Sequence, residues 1–241
     1  MIKKKDISVV IQGPIDDRTY EAIDCYQSFA EVIVSNWVGE DMGLLDKASG
    51  KFTLVQSTYQ KNTNTSFNVF LAQTTMVGCL EAKTEYVLKT RSDELYPNLD
   101  KLIENLNLYP KRSHTTDNGF WRHLPHCYSN HLFIDKRDYI VKAMESCLSS
   151  KKKFKCSESE FGYFLMQARG FDLSEKNWKK IFRDNVFITA CELLPSHLHS
   201  GQTSNGKGFK RSSNPYPKGR MERKDNTHNF KQLYQRVDQI K

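Results

Sequence analysis

The feature that most limits what this chain can fold into is a rhythm: short β-branched runs alternate with longer segments of helical period. Ile7, Val9, Val10 and Ile11 form one such run, and Gly13-Pro14 stops it. Residues 16–30 follow, with Asp16 and Asp17 suited to a helix's first turn and Ala22, Ile23, Tyr26 and Phe29 at helical spacing. Residues 31–37 and 52–56 read as a second and a third strand. A long helix is expected over 67–82, with Val69, Ala72, Gln73, Met76, Cys79 and Leu80 marking its buried side. Residues 86–89 read as a fourth strand, followed by a polar elbow and a helix over 98–106. This order, with short connections, implies an α/β fold whose mostly parallel central sheet is flanked by helices.

The second half is less regular. Strands are expected over 127–134 and 185–190, and helices over 136–147 and 157–169. From residue 196 onward Gly, Ser, Asn, Pro and Lys dominate, as in a loop or mobile tail. Near its end Phe230, Leu233, Tyr234 and Val237 fall at i, i+3, i+4 and i+7, the pattern of a short amphipathic helix. The expected organisation is one domain over 1–200 and a basic tail over 201–241. A domain of this length buries enough apolar surface to fold without a disulfide or metal staple.

Charge separates the two parts. Residues 201–241 carry ten Lys and Arg against three acidic residues, +7 of the whole +8, which leaves +1 for residues 1–200. A nearly neutral body argues against a nucleic-acid-binding protein, in spite of the basic total. A basic tail ending in an amphipathic helix suits peripheral contact with an anionic membrane surface, as well as packing back onto the body. Met1-Ile-Lys-Lys-Lys has the charge of a signal-peptide start, but the run after it is too short and ends at Gln12-Gly13-Pro14. Six scattered cysteines, none in a C-x-x-C pair, read as reduced thiols, and the expected location is the cytoplasm, possible also at the inner face of its membrane.

Ligands of an open parallel sheet bind beyond the carboxyl ends of its strands. Two polar elbows stand at such ends. At Gln12-Gly13-Pro14 the glycine lets a ligand approach the backbone. At 89–94, Lys89 and Arg91 suit a diphosphate, while Asp93 and Glu94 offer hard oxygen ligands for Mg²⁺ or Mn²⁺. Asn62 and Asn64 precede the long helix, whose amino end favours anions. In Cys156-Ser-Glu-Ser-Glu160, Ser157 and Glu160 fit a capping box, which leaves Glu158 without that duty. Either Glu158 or Glu160 could act as a general base for a sugar hydroxyl. His197 and His199 face one side if they lie on a strand, and are two surface imidazoles if they lie on a loop.

Ile7-Ser-Val-Val-Ile-Gln-Gly-Pro-Ile15, Val34-Ser-Asn-Trp37 and Tyr86-Val-Leu-Lys-Thr-Arg-Ser-Asp-Glu-Leu95 together resemble the WavE lipopolysaccharide synthesis family, as do the stretch 62–68 and Tyr128-Ser-Asn-His-Leu-Phe133. The last departs from a Ser-Asp pair to Ser129-Asn130. The resemblance covers roughly residues 6–165. It implies a GT-A-like glycosyltransferase fold, with a nucleotide-sugar-binding half over 1–110 and an acceptor-facing half over 111–200. It also implies a nucleotide-sugar donor and a glycan or glycolipid acceptor of the lipopolysaccharide or surface-polysaccharide class. Carried over, Gln12, Gly13 and Pro14 would lie at the nucleoside, and Asn62, Asn64 and Lys89 near the donor. Arg91 and Asp93 would stand where an Asp-x-Asp metal motif is expected, with Asp93 holding a divalent ion and Arg91 in place of the other carboxylate. Because of that replacement, a non-catalytic sugar-nucleotide-binding protein of the same fold is the alternative.

Overall fold

Six consecutive buried residues, Ile7–Gln12, form strand β1. A strand buried on both faces belongs inside a parallel sheet with helices on either side, and β1 has parallel neighbours on both edges. On one edge lies β2 (Glu31–Trp37), followed by β3 (Thr53–Ser57). On the other lies β4 (Tyr86–Arg91). Beyond β4 the direction reverses: β7 (Phe133–Lys136) is antiparallel to both β4 and β6 (Ser113–Thr116), and β8 (Val186–Thr189) runs parallel to β6. The seven-stranded order is β3-β2-β1-β4-β7-β6-β8. A second sheet of two short strands, β5 (Glu94–Leu95) and β9 (Leu198–His199), pairs Glu94 with His199. The computed structural model describes residues 1–58, 67–117, 124–173, 177–194 and, as backbone, 198–199.

Side chains alternate across the sheet, so β1 feeds two cores. Ile7, Val9 and Ile11 meet Ala22, Ile23 and Tyr26 of the α1 region (Asp17–Cys25) and Leu102 and Leu106 of α3 (Asp100–Leu108). Val10 lies on the opposite face with Ala72 and Cys79 of α2 (Phe67–Glu81), Ala143 and Met144 of α4 (Arg137–Ser149), and Phe161 and Leu165 of α5 (Ser157–Ala168). A sixth helix, α6 (Trp178–Asn185), leads into β8. Asp16 caps α1 by accepting from the Arg18 N–H at 2.8 Å, and its own N–H donates to Thr19 Oγ1 at 3.0 Å.

The expected mostly parallel sheet with flanking helices is present, three expectations about its parts are corrected, and one strand was not foreseen. The buried side of α2 carries Leu71, Ala72, Thr74, Thr75 and Cys79, whereas Leu80 is exposed. Gly78 is buried there because it lies against the sheet: a Cβ would meet Val10 Cγ1 at 2.5 Å. The strand expected over 127–134 begins only at Phe133, since residues 127–132 are irregular and bent and make no strand pairing. The capping box of Ser157 and Glu160 does not form. Cys156 is the N-cap of α5, no side chain caps the helix, and Ser157 is its first residue. β6 was not foreseen, because Ser113-His-Thr-Thr116 is wholly polar yet buried.

Asn62, Asn64, His197 and the basic tail with its expected helix over 230–237 lie outside the described residues. Among the described residues no helix is long and apolar enough to cross a membrane.

α5 is fastened to the turn ahead of β7. A Cβ on Gly162 would lie 2.0 Å from the His126 carbonyl oxygen and 2.7 Å from Tyr128 Cβ. Backbone cannot yield there as a flexible side chain can, so Gly162→Ala should lower the stability read from urea melts by about 1–3 kcal/mol, despite alanine's better helix propensity.

Candidate functional site

The carboxyl ends of β1, β2, β4 and β6 and the start of β7 meet at one edge of the sheet. Gly13 leaves β1 with φ +132°, a conformation side chains rarely adopt, and Ser92 Oγ would lie 2.5 Å from a Cβ there. The Gly13 N–H donates to the Ser35 carbonyl at 3.1 Å, and the Ser92 N–H to the Gln12 carbonyl at 2.9 Å. The two elbows singled out in the sequence are therefore bonded to each other. Gln12 is almost wholly buried, its Nε2 donating to Thr74 Oγ1 of α2 at 2.9 Å, while Pro14 is exposed beside it. On β2 the buried Asn36 has no partner for Oδ1 among the described residues, and Trp37 meets Phe70 edge-on at 5.2 Å.

On β4, alternation sends Lys89 and Arg91 to the same face with different fates. Lys89 is fully buried, its Nζ donating to the Asn130 carbonyl and lying 5.9 Å from the Phe133 ring. Burial first, and then the positive charge of Arg91, push its ammonium down to about 7, against the pull of Glu94 and Asp93. Its side chain is bonded to the backbone of the turn ahead of β7. Arg91 is partly exposed and grips Asp93 with a fork, Nε to Oδ1 at 2.7 Å and Nη2 to Oδ2 at 2.6 Å.

From Lys89 a chain of hydrogen bonds crosses to α5. Asn130 Nδ2 donates to Ser157 Oγ at 3.2 Å, and Ser157 Oγ donates to Glu158 Oε2 at 3.0 Å. The Glu158 carbonyl accepts from the Tyr128 N–H at 3.1 Å, which fixes the helix start against the turn. Ser157, freed from capping, thus ties Glu158 to the β4 edge. Glu160 lies instead near Cys147 of α4, where burial and then the Glu160 charge raise the thiol's pKa.

The sequence reading did not single out His131. Its Nδ1 lies 2.6 Å from Glu94 Oε1, and Tyr96 Oη donates to Glu94 Oε2 at 2.7 Å. Tyr96 is held in turn by its N–H, which donates to Tyr26 Oη at 3.0 Å. Glu94 is fully buried. A carboxylate directly after the Arg-Ser-Asp elbow was the one signal in the sequence, because a buried acid needs a partner.

The residues that a divalent ion would use do not form a donor set. Both oxygens of Asp93 accept from Arg91, and among the described residues no three His, Cys, Asp or Glu side chains are placed to hold a metal. An ion at Asp93 would have to displace the guanidinium.

The buried Lys89 sets a pH dependence. Its folded-state value of about 7 lies below the ordinary 10.5. Between these values the unfolded chain binds more protons, so this residue makes stability rise with pH across that window. In urea melts at pH 7 and 8.5, Lys89→Met should show a smaller rise than the wild type.

No protein-family model and no curated protein matches the chain. Solved structures are similar in part. The 4-diphosphocytidyl-2C-methyl-D-erythritol synthase of Anaerococcus prevotii aligns with a TM-score of 0.47 at 13% identity, over 78% of this chain and 90% of that one. A TarS structure from S. aureus gives 0.44 at 15% identity, over 68% of this chain and 55% of its own. A longer TarS structure gives 0.46 at 12%, over 76% and 35%. The chain thus spans about half and about a third of the two TarS chains, and likeness at this level says nothing of substrate or chemistry.

Proposed function

We propose that this chain is a glycosyltransferase of GT-A-like fold, moving a sugar from a nucleotide-sugar donor to a hydroxyl of a lipopolysaccharide or other surface-polysaccharide acceptor. The observation that carries the reading is the hydrogen-bonded chain from Lys89 through Asn130 and Ser157 to Glu158. It ties a half-buried carboxylate on α5 to the edge where β1 and β4 end, the usual ligand position in such sheets. The resemblance to the WavE family adds the donor and acceptor classes.

In this scheme the nucleoside lies over Gln12, Gly13 and Pro14, where the glycine admits it close to the backbone, and the resemblance adds Asn62 and Asn64 as donor-binding residues. Arg91 binds the diphosphate. The acceptor oxygen bonds to the anomeric carbon while the bond from that carbon to the phosphate oxygen breaks, and its electron pair leaves with the nucleoside diphosphate. The hydroxyl proton passes to Glu158, the better placed of the two α5 carboxylates, since Glu160 lies near α4. A single base acting from one side corresponds to inversion at the anomeric carbon. The basic tail is proposed to rest on an anionic membrane surface at the cytoplasmic side, where lipid-linked acceptors are displayed.

A thermal-shift screen of nucleotide sugars tests the donor reading, because a ligand of the native state raises apparent stability by mass action. With the donor so found, Glu158→Gln should lower kcat by about 10²–10⁴-fold, whereas Glu160→Gln should stay close to wild type. Donor binding without turnover to any acceptor would favour the non-catalytic alternative. For the tail, vesicles containing phosphatidylglycerol should retain the whole chain and release one that ends at residue 200. Equal retention of both would remove the membrane proposal.

A further inference from the structure

The thiols of Cys127 and Cys156 belong to two segments that the fold presses together. Cys127 is buried in the turn ahead of β7, and Cys156 is the half-buried N-cap of α5. On either side of Cys127 the chain touches that helix. The His126 carbonyl and Tyr128 Cβ lie against Gly162, and the Tyr128 N–H donates to the Glu158 carbonyl at 3.1 Å. Within this contact the two thiols are hydrogen-bonded to each other, and the Cys156 thiol also donates to Ser159 Oγ at 3.3 Å. Neither cysteine is in a disulfide. The sugar transfer proposed above uses neither thiol.

We infer that Cys127 and Cys156 form a peroxide-responsive pair, Cys156 attacking and Cys127 resolving, which closes to a disulfide between the turn and the start of α5. This stands apart from the donor reading, and its test needs no sugar nucleotide. The roles follow from the surroundings. The thiolate is the nucleophilic form, and the amino end of a helix favours it. The hydrogen bond from Cys127, working against burial, and then those from Ser159 bring the Cys156 thiol down to about 7. Burial instead pushes Cys79 up to about 12 and raises Cys25 and Cys147. Cys156 is also the more accessible of the pair, so hydrogen peroxide meets it first. Its thiolate attacks one peroxide oxygen, the O–O bond breaks, and the departing hydroxide takes up a proton as water. Cys156 is left as a sulfenic acid. The Cys127 sulfur then bonds to the Cys156 sulfur while the S–O bond breaks, and hydroxide leaves with the Cys127 proton as a second water. Two thiols and one peroxide thus give one disulfide and two waters, with two electrons passing from sulfur to the peroxide. A bridge forms only between backbones already close together, and the Gly162 contact holds these two so.

The test is peptide mapping of the whole chain, reduced, freed of reductant, exposed to hydrogen peroxide and then blocked with iodoacetamide. Wild type should yield two peptides joined through Cys127 and Cys156, two hydrogens lighter than their sum, and dithiothreitol should separate them. Cys127→Ser should stop at the sulfenic acid, trapped on Cys156 by dimedone, while Cys156→Ser should leave Cys127 reduced. In untreated wild type at pH 7, iodoacetamide should modify Cys156 about tenfold faster than Cys25. If neither variant folds, the wild-type map and the alkylation rates decide alone. Oxidation of Cys156 to sulfinic acid with no bridge to Cys127 would overturn the inference. So would a bridge from either residue to another cysteine or to a second molecule, a pair left intact while Cys25 or Cys191 is oxidised, or equal alkylation of Cys156 and Cys25.

Discussion

An ammonium group with no exposed surface must be bonded where it lies, and in this protein that requirement falls on Lys89. Its Nζ reaches the Asn130 carbonyl and so fixes the turn that crosses the end of the sheet. β4 is the place where the sheet changes character, parallel to β1 on one side and antiparallel to β7 on the other. The turn ahead of β7 has to cover that junction, and the buried amine anchors it. Once Asn130 is set, its amide reaches Ser157, and the start of α5 is set in turn. A methionine of similar length would fill the space and leave the carbonyl without its donor.

The same edge is layered by charge. Acids lie inward, at Asp93 and Glu94, and the groups they hold lie outward. The layering follows from chain geometry. Arg91 ends β4, Ser92 turns back onto Gln12, and Asp93 comes round to meet the guanidinium it has just passed. Glu94 then enters the small second sheet and is drawn under cover, where the Tyr96 hydroxyl and the His131 imidazole lie on its two oxygens. A local turn thus becomes a charged surface backed by its own counter-ions.

Much of this was legible in the sequence, and the reasons for the rest are physical. β1, β2, α1 and α5 could be read because apolar periodicity and β-branching coincide there with true burial. The face of α2 was misjudged because its contact surface includes Thr74, Thr75 and Gly78, which a count of apolar residues passes over. Thr74 accepts from Gln12 and donates back to the Phe70 carbonyl, while Gly78 is chosen for its lack of bulk. β6 was invisible for the same reason: Thr115 satisfies its hydroxyl on the carbonyls of the neighbouring turn, so a polar strand can be buried. Among the residues gathered at this edge, Gln12, Gly13, Arg91, Asp93 and Glu158 were candidates by residue type and position. His131 was not, because its meaning depends on Glu94, 37 positions away along the chain.

The contact between Gly162 and the backbone at His126 and Tyr128 has a mechanical consequence. With no side chain between them, α5 and the turn ahead of β7 cannot slide independently, and the Tyr128 N–H on the Glu158 carbonyl adds a second tie. Glu158 rides on one of these pieces and His131 on the other. The two groups are therefore carried on one unit of backbone, and the spacing between them is set by these contacts.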